Sequence, residues 1–127
     1  LTSFDSLKCI CFIASISGLE SHGHPLYSAA KSATIAYARS TGRFLAGKGI
    51  SLFAVSPGAF MSEDGYWGRL AKENPLKIKG FVDNRLTASK MPDDIEVANF
   101  VFLLCNNHSL NMAGSNYVFD AGQGRGW

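Results

Sequence analysis

The chain has 127 residues, 46% hydrophobic and 17% charged, with a net charge of +2. That length suffices for one domain with a single core. The near-neutral balance, with basic residues scattered rather than striped, argues against a nucleic-acid partner. No stretch reaches the roughly 18–20 uninterrupted apolar residues of a membrane span, and the start lacks the basic segment of a signal peptide. Cys9, Cys11 and Cys105 are an odd set with no framework spacing. They read as free buried thiols in a reducing cytoplasm, since no further ligands follow at metal-binding spacing.

Residues 1–7 read as the tail of a helix or a lead-in loop. Lys8–Ile16 is nearly continuous in apolar and small residues, as expected of a strand buried on both faces of a parallel sheet. Such a strand points Cys9 and Cys11 to one face. Ser17–His24 is a loop marked by Gly18 and Gly23. Pro25 to about Gly47 reads as a long helix: Pro25 suits the first turn, and Ala29, Ala30, Ala33, Ala36 and Ala38 favour helix and leave a smooth surface.

Ile50–Ser56 is a second buried strand, stopped by Pro57-Gly58. Residues 59–91 form a largely irregular excursion. Within it Tyr66–Glu73 suits a short helix that Asn74-Pro75 breaks, and Phe81–Ser89 has no strong period. An excursion of this length fits a substrate lid, or equally a surface segment packed by Trp67, Leu70 and Phe81. Pro92 to about Cys105 is a helix with Asp93 and Asp94 in its first turn. Ile95, Ala98, Val101, Phe102 and Cys105 are its expected buried face. Asn116–Ala121 is a third strand, followed by a glycine-rich tail.

Strand, helix, strand, excursion, helix, strand predicts an α/β fold: a Rossmann-like parallel sheet of about three strands with flanking helices, in one domain over residues 1–127. Ligands of open parallel sheets bind at the carboxyl ends of the strands. Ser15 ends the first strand, and Pro57-Gly58 ends the second. Tyr27 and Lys31 are four residues apart in the first turns of the long helix, hence on one face. An ammonium held near a phenol stabilises the phenolate, so a tyrosine in that setting can exchange a proton near neutral pH.

With these residues in place, the chain resembles the C-terminal half of a short-chain dehydrogenase/reductase. Tyr27-Ser28-Ala29-Ala30-Lys31 matches that family's Tyr-x-x-x-Lys motif, and Ser15, three residues before Gly18, matches its serine. Pro57-Gly58 followed by Ser62 matches its Pro-Gly loop, and Val118 to Gly122 resembles its final Val-x-Asp-Gly-Gly-like run. The resemblance implies interconversion of a carbonyl and an alcohol with NAD or NADP. It implies Tyr27 as proton donor and acceptor, Lys31 as its partner and ribose contact, and Ser15 as holder of the substrate oxygen. It implies contacts from Pro57, Gly58, Phe60 and Ser62 to the nicotinamide end of the cofactor. Ser17 is the alternative hydroxyl to Ser15, and Ser62 is alternatively an ordinary loop hydroxyl. His22 and His24 read as surface-loop histidines rather than pocket contacts.

The resemblance also implies a homodimer or homotetramer through the long helix, and a small-molecule carbonyl or alcohol substrate. Phe60, Met61, Tyr66, Trp67 and Phe81 suggest an apolar, medium-sized one. The family's Gly-rich phosphate turn, its Asn-Asn-Ala-Gly stretch and its catalytic asparagine have no counterpart in this sequence, which begins at Leu1. The preferred reading is therefore part of a complete enzyme whose first half is lost, cut away or unresolved. The alternatives are a truncated gene product, and a noncatalytic remnant acting as a dimerisation or binding module.

Overall fold

The computed structural model describes residues 8–21 and 23–125. The expectations for residues 1–7 and for His22 lie outside the described residues. The elements run β1 (Cys9–Ile13), α1 (Pro25–Ala46), β2 (Ser51–Pro57), α2 (Tyr66–Glu73), α3 (Pro75–Arg85), α4 (Asp94–Asn106) and β3 (Asn116–Phe119). Short 3₁₀ turns occupy Ile16–Gly18 and Leu110–Met112. The three strands form one parallel sheet in the order β1-β2-β3.

β2 is central and buried along its whole length. Its two buried serines are both satisfied: Ser51 donates to the Ser109 carbonyl at 2.8 Å and Ser56 to Asn116 Oδ1 at 2.8 Å. β1 was expected to be buried on both faces, yet it is only half-buried and Ile13 is exposed. Among the described residues β1 is an edge strand, paired on the β2 side alone.

The two sheet faces are covered differently. Leu52 and Ala54 meet Ala38, Ile35 and Leu45 of α1, together with Ile10, Phe12 and Ala14. The small side chain of Ala38 lets the helix lie close on the sheet. On the opposite face Phe53 meets Tyr117 edge-on, and Phe119 stacks with Phe100 of α4 at 4.7 Å. Cys9 and Cys11 share this face, and both feel Cys105 of α4. The free cysteines are as expected, except that they are half-buried rather than fully enclosed.

Two expectations need correction. Residues 59–91 are not largely irregular, because α3 follows α2 almost without a gap. Asn74-Pro75 ends one helix and starts the next: Asn74 Oδ1 accepts from the Lys77 N–H at 3.1 Å, and Pro75 takes the first helical position. The pair closes on itself through Trp67 and Phe81, whose ring centroids are 4.4 Å apart.

The buried face of α4 also differs. Val97, Phe100, Val101, Leu104 and Cys105 turn inward, while Ile95, Ala98 and Phe102 are exposed. Apolar residues surround nearly the whole helix, so period alone does not choose a face. The anchored first turn does. Asp93 and Glu96 cap it reciprocally, and Met61 donates to the Pro92 carbonyl at 2.7 Å and accepts from Asp94 at 2.9 Å.

The turn after β3 places a non-glycine residue, Ala121, at φ 53°. Its carbonyl is held by the N–H groups of Thr87 at 3.0 Å and Ala88 at 3.3 Å. Left-handed backbone costs an L-residue roughly 1–2 kcal/mol. Ala121→Gly should therefore raise stability by about 0.5–1 kcal/mol after glycine's entropy is counted. Denaturant unfolding checks this, and a lower midpoint would refute the strain.

Burial pushes the Cys11 thiol up to about 12 and the Cys9 thiol up to about 11 from an ordinary 9.0, with Cys105 adding to both shifts. The fold thus favours the neutral thiols. The stability this contributes is complete below pH 9 and is lost as pH rises from there towards 11–12. Unfolding free energy measured across that window should fall, and Cys11→Ala should flatten the slope.

Candidate active site

The site forms where β1, β2 and β3 deliver their carboxyl ends. β1 continues past Ile13: Ala14 donates to the Val55 carbonyl at 2.7 Å, which carries the chain to Ser15 at the sheet rim. Ser15 is buried and extended, and it caps the following turn. Its Oγ accepts from the Ser17 N–H at 3.1 Å. That bond occupies a lone pair and leaves the hydroxyl proton available to an oxygen in the cleft.

The turn then touches α1. A Cβ on Gly18 would lie 2.7 Å from the Lys31 carbonyl carbon and 2.8 Å from the Ser32 nitrogen. Only glycine permits that approach. Ser32 Oγ donates to the Gly18 carbonyl at 2.7 Å, and Lys31 Nζ donates to the Ile13 carbonyl at 3.0 Å. The Lys31 ammonium also sits over the Tyr27 ring, 5.6 Å from its centroid. The expected one-turn pairing of Tyr27 and Lys31 is therefore present, with the lysine held from behind by β1.

From the β2 end, Pro57 is buried and pairs in register with Phe119. Gly58 approaches β3's end closely, since a Cβ there would lie 2.8 Å from Asp120 Cα and from Gln123 Oε1. Gln123 Oε1 accepts from the Ala59 N–H at 2.7 Å and so sets the loop leading to Ser62. Asp120 in turn fixes the tail through the N–H groups of Gly122 at 3.0 Å and Gly124 at 2.7 Å.

A cleft of about 360 Å³ results, lined by Ser15, Ser17, Tyr27, Gly58, Phe60 and Ser62, with Tyr66, Trp67 and Gln123. A larger cleft of about 920 Å³ shares Ser17, Tyr27, Tyr66, Trp67 and Gln123 and adds His24, Glu20, Phe81 and Arg85. Of the expected site residues, Ser15, Tyr27, Gly58, Phe60 and Ser62 meet on the smaller cleft. Lys31 stands behind Tyr27, and Pro57 supports the loop from within the sheet. Ser15 and Ser17 both line the smaller cleft, so the alternative hydroxyl stays open.

Met61 does not join the expected apolar wall. Its backbone bonds turn it towards the start of α4, away from Tyr27. His24, expected on the surface, is exposed yet lines the larger cleft. Gln123, Glu20 and Arg85 were not anticipated. Each reaches the cleft through tertiary folding of a polar loop or helix end, which leaves no local pattern. Among the described residues no cluster of His, Cys, Asp or Glu could hold a metal ion. Nor is any helix long and apolar enough to cross a membrane.

An open parallel sheet with flanking helices defines the α/β class, in which loops at the carboxyl rim hold ligand, and this chain gathers hydroxyls and a lysine there. Residues 6–123 match the family profile described as Enoyl-(Acyl carrier protein) reductase. The chain belongs to the short-chain dehydrogenase/reductase family. It is 29% identical over 98 residues, 76% of its length, to isoepoxydon dehydrogenase of Penicillium expansum, and this match spans 37% of that relative. L-sorbose reductase of Gluconobacter frateurii, solved with NADPH and L-sorbose, superposes with a TM-score of 0.84 at 21% identity, covering 97% of this chain and 49% of that one. A short-chain dehydrogenase/reductase family oxidoreductase of Burkholderia thailandensis gives 0.80 at 25% identity, covering 91% and 44%. The chain thus spans about half the length of the solved structures it matches.

Gly18→Ala should separate the Ser15 turn from α1. Overpacking at backbone contact costs about 1–3 kcal/mol. Thermal unfolding should show the loss, whereas Gly80→Ala, where a Cβ meets nothing within 4 Å, should show none.

Proposed function

We propose that this chain is the catalytic half of an NAD(P)-dependent oxidoreductase that interconverts a carbonyl and an alcohol. The observation that carries the proposal is the meeting of Ser15, Tyr27 and Ser62 on one cleft, with the Lys31 ammonium against the Tyr27 ring. Related proteins are reductases and dehydrogenases, and one was solved with NADPH.

The residues present fit the nicotinamide end of NAD or NADP. Serine hydroxyls, a tyrosine and a lysine are the donor set that a ribose and a carboxamide require, and the loop from Gly58 to Ser62 borders them. Gly58, Phe60 and Ser62 form that border, Pro57 supports it from within the sheet, and Tyr27 and Lys31 would hold the ribose side. The sequence contains no Gly-rich turn for the pyrophosphate. When bound, the dinucleotide supplies or accepts the hydride.

The chain's own residues handle the proton and the oxygen. Ser15 Oγ, its lone pair taken by Ser17, donates to the substrate oxygen. Tyr27 Oη gives its proton to that oxygen during reduction and removes it during oxidation. Lys31 steadies the phenolate that results. Its position is set by Ile13, so its charge is in place before substrate arrives. Phe60, Tyr66, Trp67 and Phe81 favour an apolar, medium-sized substrate body. A homodimer or homotetramer through the outer face of α1 is part of the proposal. Leu26, Tyr37 and Phe44 are exposed along that helix.

In the complete protein, Tyr27→Phe should lower kcat by about 10²–10⁴-fold. The melting temperature should stay unchanged, because the Tyr27 side chain is half exposed. Near-normal turnover in that variant would overturn the mechanism.

A further inference from the structure

The larger cleft holds more charge than carbonyl chemistry needs. Four ionisable side chains besides Tyr27 line it: Glu20, His24, Tyr66 and Arg85. Glu20 is engaged elsewhere, since its Oε1 accepts the Arg125 N–H at 2.6 Å. Arg85 is different. It is the last residue of α3 and half-buried, and among the described residues it has no carboxylate in salt-bridge contact. Exposed arginines at helix ends commonly serve the helix dipole alone. This one instead lines the cleft that Tyr27 lines, beside Trp67 and Phe81.

An arginine that lines a cleft with no carboxylate partner among the described residues has a planar fork of donors to offer a ligand there. Carboxylate and phosphate both fit such a fork through two parallel hydrogen bonds, and the apolar wall beside it favours the singly charged carboxylate. The aromatic pair Trp67 and Phe81 lies on the same wall and suits an aliphatic body. At about 920 Å³ the cleft has room for both ends of such a molecule.

We infer that Arg85 selects substrates that carry a carboxylate at the end remote from the reacting carbonyl or alcohol, with an apolar body packed on Trp67 and Phe81. This rests on the carbonyl–alcohol reading of the site, and it assigns the substrate class that reading leaves open. Arg85 acts on specificity. It takes no part in the proton transfer.

The test uses the complete protein and two readouts. The first is binding: calorimetric titration with hexanoate and with its neutral counterpart hexanamide. Hexanoate should bind at least about tenfold more tightly, and Arg85→Gln should remove that difference. Arg85→Lys should restore part of it, which separates charge recognition from a folding defect. The second readout is the ratio of kcat/KM for an aliphatic keto acid to that for its methyl ester. The ratio should exceed about 10 and fall towards 1 in Arg85→Gln, chiefly through KM.

Equal binding of hexanoate and hexanamide overturns the inference. So does turnover of acid and ester at a ratio near one, and the oxidoreductase reading then stands without it. If neither compound is turned over while hexanoate binding still depends on Arg85, the carbonyl chemistry fails and the carboxylate site stands.

Discussion

The site depends on one close contact, where the turn after β1 meets the backbone of α1. Gly18 has no side chain to hold the two apart, and Ser32 bonds its carbonyl. Lys31 reaches across to the last carbonyl of β1. Ser15 and Tyr27 lie on the two sides of this seam. Their relative position is therefore set by backbone contact and two hydrogen bonds, not by the flexible side chains. Preorganisation of this kind is what lets weakly acidic groups act on a substrate oxygen without moving first.

The rest of the fold serves to hold that seam. β2 is buried along its whole length and pairs with a strand on each side. The α1 face is tight because it is built of alanines and Leu52, while the α4 face uses stacked and edge-on aromatics. The C-terminal tail closes the third side. Gln123 holds Ala59, and Asp120 holds Gly122 and Gly124. The loop that carries Phe60 and Ser62 is thus tied to the end of β3.

The residues on either side of the seam were legible because their signals are local, while the Gly18 contact that joins them is tertiary. An apolar run ending in Ser15, a proline opening an alanine-rich helix, and tyrosine and lysine one turn apart each follow from short-range chemistry. The parallel pairing followed from the alternation of elements, whereas the spatial order of the strands had no signal in the chain. Where the reading failed, the deciding interactions were tertiary. The inward face of α4 depends on how Met61 and the Asp93–Glu96 cap anchor its first turn. The start of α3 depends on Asn74 capping the helix that Pro75 opens, and the same dipeptide also reads as a breaker. Met61 left the pocket wall because its backbone bridges to α4. Arg85 and Gln123 lie far from Tyr27 in sequence, and nothing near them in the chain announces a cleft.

These differences divide the site into two kinds of construction. Ser15, Tyr27 and Lys31 are set on the rim of the sheet, where a shift in any one would strain strand pairing or the Gly18 contact. The wall facing them comes from α2 and α3, which pack chiefly on each other through Trp67 and Phe81. Substitutions in that helical pair can therefore reshape the larger cleft while leaving the Ser15–Tyr27 seam unchanged. In the proposed mechanism, specificity falls on the element that is free to vary and proton transfer on the one that is not. Arg85, at the C-terminal end of α3, lies on the helical-pair side of that boundary.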